Sequence, residues 1–137
     1  MRISQKLEYA CRAMAQLARR HDGRTITRLE ELAQREAVSA NFLVQILNDL
    51  RRGQLIESRR GKGGGYLLGR QPDAISLLDI VEAVEPSLLA TSTQPEGDCG
   101  AAVKRAWESV TTATREQLAA IPLKQLAERG GEPMYYI

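Results

Sequence analysis

Two neighbouring stretches decide the fold: Ser39-Ala-Asn-Phe-Leu-Val-Gln-Ile-Leu-Asn-Asp-Leu-Arg-Arg52 and, after a short turn, Ser58-Arg-Arg-Gly-Lys-Gly-Gly-Gly-Tyr66. In the first, Leu43, Ile46, Leu47 and Leu50 recur at the spacing that lines one face of a 3.6-residue period, so the segment reads as an amphipathic helix. Ser39 is its expected N-cap, with a hydroxyl able to take a free amide of the first turn. Asn41, Val44, Gln45, Asn48 and Arg52 fall outside the apolar stripe and give the helix an amide-rich outer face. Such side chains can pair bidentately with adenine in a major groove. The second stretch reads as a hairpin, strands Leu55–Ser58 and Tyr66–Leu68 around a basic tip. Arg59, Arg60 and Lys62 put three cations within four residues, and Gly61, Gly63, Gly64 and Gly65 let the backbone turn sharply and approach a surface closely.

Upstream, Thr27-Arg-Leu-Glu30 fits a capping box and opens a helix to about Glu36, with Leu29, Leu32 and Ala33 inward. Ala37-Val38 makes a tight turn before Ser39. Two short helices joined this way, the second polar-faced, have helix-turn-helix geometry. The basic hairpin behind them makes it a winged helix-turn-helix. Phosphate-loop chemistry is excluded by pattern, because Gly61-Lys-Gly-Gly-Gly65 lacks the Gly-x-x-x-x-Gly-Lys-Ser/Thr order.

Before this unit, residues 3–20 read as the first helix. Ile3, Leu7, Ala10, Cys11, Met14, Leu17 and Ala18 share a stripe, and Lys6, Glu8, Arg12 and Gln16 lie off it. After it, Ser76 caps a helix through Glu85, with Leu77, Ile80, Val81 and Val84 inward and Asp79, Glu82 and Glu85 as a solvated acidic strip. Pro86 ends that helix. Residues 87–100, rich in Ser, Thr, Pro and Gly, read as a loop. A long helix follows from about Ala101 to Ile121. Val103, Trp107, Val110, Leu118 and Ile121 form a narrow stripe on it, a dimer seam. Leu123–Glu128 adds a last turn, and the tail Met134-Tyr-Tyr-Ile137 is expected to pack on a neighbour. The organisation is therefore a winged domain over 1–86, a loop with a sensor role over 87–100, and a dimerisation helix and tail over 101–137.

Composition agrees with one soluble unit. The 137 residues are 43% apolar and 26% charged, and no apolar run approaches a membrane span, which places the chain in the cytoplasm. Two cysteines, Cys11 and Cys99, give no disulfide framework, and the lone His21 leaves little for nucleophilic catalysis. The net charge of +2 hides an asymmetry. Residues 1–70 carry 14 Lys and Arg against 7 Asp and Glu, whereas 71–137 carry 5 against 10. A basic front half is what a polyanion-facing surface requires. No motif carries enzyme chemistry.

The chain resembles the Rrf2 family of bacterial transcription regulators. The resemblance rests on Glu8-Tyr-Ala10, Asn41-Phe-Leu43 with Leu50-Arg-Arg-Gly53, Ser58-Arg-Arg-Gly-Lys-Gly-Gly-Gly-Tyr-Leu67, and Ile75-Ser-Leu-Leu-Asp-Ile-Val-Glu82. It implies a homodimer with crossed C-terminal helices that binds a roughly palindromic operator. Family members with an iron–sulfur cluster have three cysteines in the loop before the long helix. Here that loop has Cys99 alone, with Glu8 at the position where some relatives recruit an acid from the partner subunit. Two ligands are too few for a cluster, so no iron–sulfur cofactor and no metal is expected. The signal is instead expected to be a thiol reaction, a small molecule or a protein effector.

The resulting expectation is a dimeric repressor that binds double-stranded DNA and no membrane. Ser39, Asn41, Gln45 and Asn48 face base edges. Arg28, Arg51, Arg52, Arg59, Arg60 and Lys62 contact phosphates. Thr27, Ala40, Gly63, Gly64 and Tyr66 complete the DNA surface. The alternatives are an iron–sulfur or thiol redox-sensing regulator of the same family, or a winged-helix protein-interaction module without DNA.

Overall fold

The computed structural model describes residues 1–91 and 94–128. Its elements in chain order are α1 (Gln5–Arg19), α2 (Leu29–Glu36), α3 (Ala40–Arg52), β1 (Ile56–Arg59), β2 (Gly65–Leu68), α4 (Leu77–Val84), α5 (Gly100–Ala119) and α6 (Leu123–Ala127). Single 3-10 turns at Pro72–Ala74 and Pro86–Leu89 flank α4. The fold is mainly helical, with one antiparallel hairpin and a long helix near the C-terminus, as the winged-helix reading requires.

One core joins the helices. Leu7, Ala10, Met14 and Leu17 of α1 meet Leu32 of α2, Leu43, Ile46, Leu47 and Leu50 of α3, and Ile80 and Val81 of α4. Burying so many branched side chains together is the main stabilising term for a domain of this size. Ile3 drops out of the predicted stripe. Ser4 caps α1 by accepting from the Leu7 amide at 3.1 Å, which leaves Ile3 before the helix and exposed. Gln16, placed off the stripe by sequence, is buried because its amide nitrogen donates to the Glu36 carboxylate at 2.8 Å.

The capping box expected at Thr27 does not form. Arg28 is the N-cap of α2 and supplies no side-chain hydrogen bond. Thr27 instead forms an isolated bridge to the wing, its amide donating to the Tyr66 carbonyl at 2.9 Å and its carbonyl accepting from the Tyr66 amide at 2.8 Å. It is 1% exposed, so its side chain leaves the predicted DNA surface. At Gly65 a Cβ would collide with the Thr27 carbonyl, so only glycine permits this approach. Hairpin pairing runs Ile56↔Leu68 to Arg59↔Gly65, one residue further toward the tip than the sequence indicated.

The acidic strip of α4 is not merely solvated. Asp79 closes a capping box with Ser76, Glu82 accepts from Arg115 of α5 at 2.9 Å, and Glu85 accepts from the Ser4 hydroxyl. Within the predicted loop, Pro86–Leu89 forms a turn that buries Leu89. At the far end of α5, Leu118 packs on the chain's own core, and Ile121, beyond the helix, gives its carbonyl to the Leu77 amide at 2.8 Å. Both are partly buried within the single chain, so Val103, Trp107 and Val110 are the exposed part of the predicted seam. Leu123 of α6 is fully buried in the same core as α1. The tail expectation at Met134–Ile137 lies outside the described residues.

Candidate nucleic-acid interface

The amphipathic character of α3 sorts its side chains. Because the Leu43, Ile46, Leu47 and Leu50 row is sealed into the core, Asn41 and Gln45 are exposed and Asn48 half-buried. Ser39 accepts from the Phe42 amide at 3.2 Å, which fixes the start of the helix and leaves its own proton free to donate. Ala40 stands half-buried at the first helical position.

The wing tip is a tight turn in which the Gly64 amide donates to the Gly61 carbonyl at 2.9 Å. Gly61 and Gly63 have φ of 95° and 84°, the left-handed region that a side chain would strain. Between this tip and the start of α2 lies a cleft of about 350 Å³ lined by Arg28, Glu30, Ser58, Arg59, Arg60 and Tyr66. No side chain caps α2, so its first amides lack a side-chain acceptor.

The cations are not equivalent. Arg52 pairs with Asp49, which also holds Lys6 at 2.7 Å. Arg59 pairs with Glu57 at 3.1 Å, and Arg28 with Glu30 at 4.0 Å. Among the described residues Arg51, Arg60 and Lys62 make no ion pair, and all three are exposed. The Asp49–Arg52 pair follows helix spacing and Arg59–Glu57 lies along one strand, whereas the reach of Lys6 to Asp49 is set by the fold.

This arrangement belongs with a known set of proteins. A family model described as "Rrf2: Iron-dependent Transcriptional regulator" matches residues 3–129. The chain belongs to the Rrf2 family. Among its relatives, the transcriptional regulator CymR of Bacillus subtilis is 34% identical over the full length of both chains. The regulator IscR of Sodalis glossinidius is 39% identical over 72% of this chain, an alignment that spans 59% of that protein. The solved structure of B. subtilis CymR superposes with a TM-score of 0.78 at 33% identity, covering 93% of this chain and 96% of that one. That of T. potens IscR gives 0.75 at 32% identity, covering 99% and 97%.

The iron in the Rrf2 description sets a test for the donor set. Among the described residues no three His, Cys, Asp or Glu side chains come together as a metal site. Burial, reinforced by the Glu8 carboxylate, pushes the Cys11 thiol up to about 11, so it is a poor thiolate donor. Cys99 is exposed just before α5 and Glu8 is exposed on α1. These residues do not fit a cluster held by one chain. No helix among the described residues is long and apolar enough to cross a membrane.

Proposed function

We propose that the protein is a cytoplasmic, dimeric repressor, not an enzyme, that reads a palindromic operator without an iron–sulfur cluster. The observation that carries the reading is that one domain exposes the amides Asn41 and Gln45 on α3 and the cations Arg51, Arg60 and Lys62, which make no ion pair among the described residues. Amides on a helix that fits a major groove supply base readout, while the wing cations track the backbone. The half-exposed Asn48 and the Ser39 hydroxyl extend the first group, and Arg28 with the α2 amides extends the second. Arg52 and Arg59 join only by exchanging their carboxylate partners for phosphate. Gly63 and Gly64 bring the wing backbone close, whereas Tyr66 braces the hairpin on Thr27.

The homodimer rests on α5. Val103, Trp107 and Val110 are 48%, 54% and 53% exposed, a row of large apolar groups that a partner helix would cover. Two-fold symmetry then fixes half-sites about one helical turn, or a multiple, apart.

Selection of double-stranded DNA from a random pool by the purified protein tests this. Enrichment of an inverted repeat with that spacing is expected, and no enrichment over the starting pool would overturn it. The same protein, purified without oxygen, is expected to be colourless and free of iron. One equivalent of iron with acid-labile sulfide per chain would overturn the clusterless reading.

A further inference from the structure

A second polar site lies away from the reading helix. A crevice of about 300 Å³ opens between the end of α1, the turn Pro72–Ala74 and α6. Ala18 and Ala127 line its apolar part, and His21, Gln71, Asp73 and Lys124 supply the polar groups. Its walls are held in place at both ends of α6. The Leu123 amide donates to the Ile75 carbonyl at 2.7 Å, and Arg19 Nε donates to the Ala127 carbonyl at 3.0 Å. A site whose walls are already fixed loses little entropy when it is filled.

The charges select the occupant. Asp73 and Lys124 line the same crevice with opposite signs, yet among the described residues neither makes an ion pair. A simple anion would meet Asp73 and a simple cation would meet Lys124, each at a Coulombic cost. A small molecule with both charges meets neither penalty, and the volume sits at the lower end of ligand cavities. We infer that this crevice is a binding site for a free α-amino acid. Its carboxylate is held by Lys124 and His21, its ammonium by Asp73, and the Gln71 amide serves either group.

The site adjoins the wing. His21 and Gln71 also line a neighbouring depression together with Glu57 and Arg59 of β1. An occupant that moves either residue therefore reshapes the depression that Glu57 and Arg59 share with them, and through it the wing's approach to DNA. Only this last consequence rests on the DNA-binding function proposed above. Binding itself is independent of it.

Thermal unfolding of the full chain, with each standard L-α-amino acid added singly at millimolar concentration, tests the site without DNA. At least one is expected to raise Tm by about 3 °C in a concentration-dependent way. Its N-acetyl derivative and its decarboxylated amine should each lose the effect. Lys124→Gln and Asp73→Asn, both at exposed positions, should keep the unliganded Tm near wild type and abolish the shift. No shift with any amino acid, a shift that survives both substitutions, or an equal shift with the amine would overturn the assignment. A protein that passes this test but selects no DNA would retain the amino-acid site and lose only the operator function.

Discussion

Asp49 holds two cations at once, and that single carboxylate reorders the expected phosphate contacts. Arg52 is drawn back along α3 to Asp49, while Lys6 of α1 reaches the same side chain at 2.7 Å. Pairs whose cation stands in solvent are worth little by themselves, but a cation already paired must give up its partner before it meets a phosphate. Arg60 and Lys62, unpaired among the described residues, should therefore dominate the salt dependence of DNA binding. Replacing both with Ala should reduce the slope of log K against log salt by about 0.9 for each lost phosphate contact. Arg52→Ala should change it less. Fluorescence anisotropy across a salt series measures both, and equal slopes for wild type and the double variant would remove the wing tip from the interface. Basic character at the tip is legible from Arg59, Arg60 and Lys62 as a row. Which cations are free depends on Asp49 and Glu57, whose partners Arg52 and Arg59 lie three and two positions away, whereas Lys6 reaches Asp49 only through the fold.

At the scale of elements, the turn between α2 and α3 is the informative one. Ala37 ends α2 with φ 57° and ψ 46°, a left-handed conformation that L residues other than Asn and Asp rarely adopt. Glycine is the residue that fits such a C-cap without strain. Ala37→Gly should therefore stabilise the fold by about 0.5–1 kcal/mol, after the extra freedom glycine gives the unfolded chain is counted. Ala37→Val should destabilise it. Urea denaturation gives the sign directly, and a destabilised glycine variant would contradict the strain argument. Ser39 and Ser76 are correctly read as caps from sequence, because a local hydroxyl before an apolar period is sufficient signal. Thr27 has the same local signal and fails. Its backbone is taken by Tyr66, 39 positions later, and a tertiary strand bridge outcompetes a local cap.

For the molecule as a whole, α5 divides into two halves with different partners. The far half is tied down by Arg115 to Glu82 and by Leu118 on the core. The near half leaves Val103, Trp107 and Val110 facing outward. A charge at the centre of that row should prevent a second helix from packing on it. Trp107→Asp is expected to convert the proposed dimer to monomer in sedimentation experiments and to weaken operator binding, while the thermal unfolding of the isolated chain stays close to wild type. A variant that remains dimeric would place the interface elsewhere. The sequence alone determined the element types, the buried face of α3 and the basic hairpin, because periodicity, caps and glycine act over a few residues. Only the tertiary structure decided that Lys6 meets Asp49 and Arg115 meets Glu82, that Thr27 braces the wing, and that α6 closes back on α1. Each of these depends on groups distant in the chain being brought together by the fold, which local pattern does not encode.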